Sequence, residues 1–155
     1  MTMTEVNIFF PESSDQKQQI DLLLWDVLWK PLGLPRNIRD TFRVDGHEIE
    51  MAAEKDKVIV GALVGVWTSN SEVELRYLAV AESMRKQGVG CRMVETFIKA
   101  VSEQGCLLVH TIARNISEAF FRRIGFTDAP GKAPDHPDFC KHGITFVLLR
   151  RKLSQ

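Results

Sequence analysis

Arg85-Lys86-Gln87-Gly88-Val89-Gly90 is the stretch on which the reading of this chain turns. It follows a strand-like run, Glu72 to Val80. It precedes a segment in which Val89, Met93, Val94, Phe97, Ile98 and Val101 recur at helical spacing until Gly105. Two glycines two apart let a backbone turn tightly and approach a ligand with no side chain between them. The first amides of the following helix lack internal partners, and the helix dipole adds partial positive charge there. Such a corner suits a pyrophosphate, and Arg85 and Lys86 stand beside it. A dinucleotide fingerprint would need a third glycine near Met93, inside a parallel unit. A nucleoside-triphosphate loop would need Gly-Lys-Ser/Thr, which the sequence lacks. The loop alone also fits a glycine-rich turn that binds nothing.

Upstream, Glu48 to Glu54, Lys57 to Trp67 and Glu72 to Val80 read as three strands joined by short turns, an antiparallel meander. Before them, Val6 to Phe10 reads as a first strand ending at Pro11. Ser13 with Gln16 makes a capping box, so a helix is expected there. It carries Ile20, Leu23, Leu24, Val27 and Leu28 and is expected to end at Pro31. A short second helix fits the region of Ile38 and Phe42. Downstream, Leu107 to Ile112 is an apolar strand interrupted by His110. Asn115 is expected to cap a helix that ends at Gly125, and Asp128 to Gly143 reads as a loop. Ile144 to Leu149 is the last strand. The expectation is one α/β (α+β) domain over residues 1–155, with a mixed, mostly antiparallel sheet of about six to seven strands and helices on both faces.

The chain has 155 residues, enough for one domain with a real core. Lys plus Arg and Asp plus Glu are equal at 20 each, which gives no electrostatic reason to expect nucleic acid or an anionic membrane as partner. Met1 to Asp15 has no basic-then-apolar secretory pattern, and the longest apolar stretch, Val58 to Trp67, is about half a membrane span. Cys91, Cys106 and Cys140 are odd in number and widely spaced, as reduced thiols would be. A soluble, cytoplasmic protein is expected.

Arg85-x-x-Gly88-x-Gly90 resembles the R/Q-x-x-G-x-G/A signature of the GNAT superfamily of N-acetyltransferases. The resemblance extends upstream through Leu75-Arg76-Tyr77-Leu78-Ala79-Val80. Downstream it continues through Asn115, Ala119, Phe120 and Gly125-Phe126. It implies an acetyl-coenzyme A-dependent acyltransferase. The backbone of Leu78, Ala79 and Val80 would pair with the pantetheine arm. The amides of Arg85, Lys86, Gln87, Gly88, Val89, Gly90 and Cys91 would hold the pyrophosphate. Asn115 matches the asparagine that helps orient the cofactor, and Ala119 and Phe120 would line the channel.

Transfer to an amine needs a neutral nitrogen. A lysine-like amine is neutral in only about one part in 2,500 at pH 7, equivalent to roughly 4.6 kcal/mol, so a base must act. Glu74 is the catalytic candidate. It stands eleven residues before Arg85 and resembles in position the catalytic glutamate of the histone acetyltransferase branch. The other reading of Glu74 is a strand carboxylate paired with Arg76. Strict alternation puts it on the face of Leu78 and Val80, opposite Tyr77. Where the family often has a tyrosine acid, this chain has Phe121. Tyr77, Cys140 and His142 are alternative donors, and unassisted departure of the thiolate is another.

Asp135, His136, Asp138, Cys140 and His142 cluster in the late loop, but their spacing matches no zinc signature, so no metal is expected. The family resemblance places this loop beside the acceptor. His110, Cys106, Trp25 and Trp29 are read as packing. The expected function is acetyl transfer from acetyl-coenzyme A to a primary amine, in a small molecule or a peptide, by direct attack in a ternary complex. The alternative is a catalytically poor acyl-coenzyme A sensor, suggested by Phe121. The sequence leaves open the acceptor, the acyl length and whether edge strands or helices pair two copies into a homodimer.

Overall fold

The computed structural model describes residues 5–154. Seven strands form one sheet in the order β1-β2-β3-β4-β5-β7-β6. They are β1 (Asn7–Phe9), β2 (Glu48–Lys55), β3 (Val58–Trp67), β4 (Glu72–Val80), β5 (Leu108–Arg114), β6 (Thr127–Asp128) and β7 (Phe146–Lys152). Every neighbouring pair is antiparallel except β4–β5, which is parallel. The β2–β3 hairpin turns on Asp56 and Lys57, with φ of 52° and 66°. Positive φ at both central residues matches the right-handed twist of the strands they join.

Helix α1 (Ser14–Leu24) begins at the capping box: Gln16 N donates to Ser13 Oγ at 3.1 Å and Ser13 N donates to Gln16 Oε1 at 3.3 Å. Pro31 does not end it, contrary to expectation. The chain widens to a π turn over Trp25–Trp29 and tightens to a 3-10 turn over Lys30–Leu32 before Gly33, at φ 74°, turns it away. Pro31 sits early in that last turn, where no N–H is needed. The Ile38–Phe42 segment is also a 3-10 turn.

Helix α2 (Val89–Glu103) joins β4 to β5 and covers one face of the sheet. Gly61 and Gly65 in β3 explain how closely it lies. A Cβ at either would collide with Met93 Sδ or with the Phe97 ring, respectively. Helix α1 covers the other face over Ala52, Ala62, Val64 and Ala79. Helix α3 (Glu118–Arg123) lies on the α2 side, and the single turn α4 (Pro137–Cys140) lies on the α1 side within the expected loop.

Two details at the C-terminal end differ from the sequence reading. The last strand runs from Phe146 to Lys152, so Arg150–Lys152 belong to the sheet, and β6 pairs briefly beside it. Asn115 is not a helix cap. A 3-10 turn over Asn115–Ser117 precedes α3, and the Asn115 amide bridges to the neighbouring loop instead. No helix among the described residues is long and apolar enough to cross a membrane.

Candidate active site

The parallel β4–β5 ladder is short. It runs from Glu72–Leu108 to Leu75–Thr111, where the Thr111 hydroxyl donates to the Leu75 carbonyl at 2.8 Å. Beyond that rung the sheet divides. β4 stays with β3 as far as Val80, while β5 stays with β7 as far as Arg114. The division coincides with a β-bulge: Val64 pairs with Tyr77 and the next residue, Gly65, with Leu75, so Arg76 is the extra residue. A bulge bends a strand and increases its twist, which carries β4 away from β5.

The bulge also overturns the alternation argument for Glu74. One inserted residue reverses the side-chain phase of everything beyond it. Val73 and Leu75 pack on the α2 side, and past Arg76 so do Leu78 and Val80. Glu74 therefore shares the α1 face with Tyr77 and Ala79, not the face of Leu78 and Val80.

A cavity of about 290 Å³ occupies the gap. On the α2 side Leu78, Ala113, Phe120 and Phe121 line it. On the α1 side Trp29, Phe42, Tyr77, His136 and Phe139 do. The cavity thus passes through the sheet between the parted strands. Trp29, read as packing, is buried but also forms this wall, edge-on to Tyr77 at 5.1 Å. Trp25 supports it from outside, donating Nε1–H to the Leu34 carbonyl at 3.0 Å.

Glu74 lines the cavity and is only 13% exposed at its side chain. Arg76 Nη1 donates to its Oε2 at 3.0 Å, and His110 Nε2 lies 3.6 Å from Oε1. Burial alone would raise this carboxyl. The His110 interaction and the Arg76 charge outweigh burial and hold it below the ordinary value of 4.5. Arg76 is fixed in turn by the Phe42 carbonyl at 2.7 Å and the Tyr77 hydroxyl at 3.2 Å. His110, expected as packing, is a partly exposed neighbour of Glu74. Its break in an apolar strand was the available signal, but the β4–β5 register that sets it opposite Glu74 is not written locally.

Phe121 is 5% exposed and packs edge-on against Phe120 and Phe126, each with centroids at 5.2 Å. It touches the cavity but offers no proton. Cys140 and His142 are exposed and do not line the cavity, whereas Tyr77 does. Cys106 is buried, and burial raises its thiol above the usual range despite hydrogen bonds to Leu108 and Val73. Among the described residues no three His, Cys, Asp or Glu side chains gather to hold a metal ion.

The Arg85–Gly90 corner lies at the start of α2. Lys86 and Gly88 take φ of 64° and 79°, so the chain reverses twice in the left-handed region before the helix begins. Arg92 N donates to Gly88 O at 3.0 Å as the first helical bond. The amides of Val89, Gly90 and Cys91 come before it and have no helical carbonyl to reach. A Cβ added to Gly88 would meet nothing within 4 Å, so the space beside the loop is open. A Cβ on Gly90 would lie 3.4 Å from the Phe120 ring and 3.7 Å from the Val80 side chain. The loop, the end of β4 and α3 therefore meet at one place. Arg85 Nε donates to the Val80 carbonyl at 3.3 Å, and Gln87 Nε2 to the Ser83 carbonyl at 3.2 Å.

Other expected channel residues fall apart by role. Leu78 lines the cavity, while the Ala79 side chain is buried toward α1. Phe120 forms the channel wall, but Ala119 is exposed and does not. Asn115 donates Nδ2–H to the Gly143 carbonyl at 3.3 Å and accepts from Thr145 N at 3.1 Å, fastening the loop after β5 to the chain before β7.

A family model described as an acetyltransferase (GNAT) domain matches residues 46–128, more than half of the chain. Solved structures share the fold at low identity. Tetrahymena GCN5 is 20% identical with a TM-score of 0.71, covering 97% of this chain and 96% of that one. Ard1 from Thermoplasma volcanium is 20% identical with a TM-score of 0.73, covering 97% and 99%. The PaiA N-acetyltransferase of Thermoplasma acidophilum, solved in complex with coenzyme A, is 13% identical with a TM-score of 0.69, covering 96% and 99%.

Proposed function

The chain belongs to the GNAT acetyltransferase family, and from that premise we propose that it moves an acetyl group to a primary amine by direct attack in a ternary complex. It is an acyltransferase whose donor is acetyl-coenzyme A. The observation that carries the finer reading is the cavity between the parted strands, lined by Leu78, Phe120 and Phe121 from the α2 side and by Trp29, Phe42 and Tyr77 from the α1 side. The donor enters along the α2 side. The Val89, Gly90 and Cys91 amides and the α2 dipole hold its pyrophosphate, and the free edge of β4 from Leu78 to Val80 pairs with the pantetheine. Asn115 acts here by fixing the loop that shapes the channel, not by a direct contact of its side chain.

The acceptor amine enters from the α1 side and meets Glu74. Because Glu74 is held ionised with a lowered proton affinity, the incoming ammonium gives its first proton to water, and the neutral minority form of the amine is what reacts. Glu74 suits the later transfer, accepting a proton from the nitrogen as the N–C bond forms and the nitrogen becomes acidic. The C–S bond breaks, and the thiolate takes up a proton through water or Tyr77, since Phe121 has none to give; the proton that Glu74 took from the nitrogen is returned through water to that donor. Atoms balance as amide plus free thiol.

Calorimetry of acetyl-coenzyme A with the native chain and with Gly88→Trp tests the donor site. Micromolar binding that disappears in the variant is expected. Absent binding, or binding indifferent to the substitution, overturns the reading.

A further inference from the structure

The cavity contains two guanidinium groups in very different circumstances. Arg76 is neutralised by Glu74 and satisfied by Phe42 and Tyr77. Arg114, at the end of β5, has a single hydrogen bond, from Nη2 to the Leu28 carbonyl at 2.8 Å. Its guanidinium carbon lies 5.3 Å from the centre of the Phe139 ring, which gives it an aromatic neighbour in the same wall. Among the described residues no carboxylate comes within ion-pairing distance of it. Asp135 lines the same cavity without reaching it. Burial pulls the Arg114 pKa down, and no neighbouring charge pushes it back. Arginine stays protonated nonetheless, so a positive charge stands half-buried in the cavity wall without a counter-ion.

The chain does not treat its other buried arginine in this way. Arg39, 4% exposed, is matched by Asp21, Glu48 and Glu50 at 3.2, 3.1 and 2.7 Å. Arg114 also differs in access. Among the described residues the buried side-chain polar atoms that lack a partner belong to Arg39 and His136, so the unused N–H groups of Arg114 are not sealed in. Arg114 lines the cavity with donors to spare, and such a planar fork is suited to a two-oxygen anion.

We propose that Arg114 receives a carboxylate of the acceptor, so that the amine acetylated here belongs to a small amino acid. The proposal rests on the acyl-transfer reading above. The size of the site supports a small acceptor, because a cavity of about 290 Å³ must hold the thioester end as well. The amine is drawn toward Glu74 while the acid end is held at Arg114, and the two opposite charges orient the molecule across the gap.

The test uses the whole protein with coenzyme A present. Saturation-transfer NMR is run on α-amino acids, β-alanine and 4-aminobutyrate, each beside its carboxamide, with taurine and phosphoethanolamine as sulfonate and phosphate counterparts. Thiol release from acetyl-coenzyme A is followed on the same panel. Carboxylates are expected to bind and to be preferred over their amides at least tenfold in kcat/KM, chiefly through KM. Arg114→Gln should collapse that ratio toward one, and Arg114→Lys should restore part of it. Thermal midpoints check that both variants are folded. No carboxylate binding, equal use of acids and amides, a preference for the sulfonate or phosphate, or an equal loss on both series in Arg114→Gln each overturns the proposal. Failure of the native chain to bind coenzyme A in calorimetry is a separate result, and it sinks the acyl-transfer reading instead.

Discussion

The two sides of the parted strands are built from different materials. On the α2 side the groups proposed to bind the donor are backbone: loop amides, a helix terminus and the open edge of β4. They follow one another within residues 78–91. On the α1 side they are side chains brought from the π turn after α1, the 38–42 turn, β4, β5, α4 and the segment before it. A backbone site is indifferent to most side-chain changes and sensitive to the few that alter chain direction. A side-chain site is free to vary and depends on distant supports. The first arrangement suits a donor that never changes, and the second suits an acceptor that sets specificity.

Gly88→Trp should give the largest effect, because its ring would fill the open space beside the loop amides and its backbone sits at a φ of 79° that only glycine adopts readily. Loss of detectable acetyl-coenzyme A binding by calorimetry is expected, with the fold retained by circular dichroism. Glu74→Gln is the matching change on the other side. It should lower kcat by about 10²–10⁴-fold while leaving the dissociation constant for acetyl-coenzyme A within about twofold. A kcat near native would remove Glu74 from the chemistry.

Arg39→Met probes the distant supports. Arg39 ties α1 and the 38–42 turn to β2 through three carboxylates; in the variant Asp21 keeps Arg36 and Glu48 keeps Arg43, but Glu50 is left uncompensated. A loss of about 3–5 kcal/mol in unfolding free energy is expected from urea titration, with a softened acceptor wall. Affinity for the donor in the folded protein should change little.

A smaller effect is the pH dependence of the Glu74 contribution. Its carboxyl is held below 4.5 in the folded chain, so the associated stability is present above that value and is lost as pH falls through the lowered one. The gap in unfolding free energy between native protein and Glu74→Gln should narrow as pH falls below 4.5. The smallest effect is expected from Cys91→Ser with Cys140→Ser. Single-turnover transfer within about twofold of native is consistent with direct attack, and its loss would point to an acyl-thiol route.

The same contrast governs what could be read before the structure was known. The Gly88 and Gly90 spacing, the amphipathic stripe from Val89 to Val101 and the meander before them are local patterns, and each lies where local physics puts it. Glu74 was legible as a candidate by distance along the chain, but its face was not. The bulge at Arg76 depends on how β3 and β4 pair, and nothing in the Leu75-Arg76-Tyr77 sequence marks it. His110, Trp29 and Arg114 were opaque for a related reason. Their roles come from the β4–β5 register and from helices folded over the opposite face. Asn115 was misread because an asparagine before a helix has the signature of a cap, while a loop thirty residues later captured its amide.

The passage through the sheet carries a consequence for the order of events. A molecule arriving from one face does not obstruct arrival from the other, so neither reactant need wait for its counterpart. Steady-state lines at several fixed acceptor concentrations should intersect rather than run parallel. Spent coenzyme A can remain seated while a fresh amine comes in behind the departing amide, making a stalled pair. At high acceptor concentration turnover should therefore decline, and that decline should deepen when free coenzyme A is added.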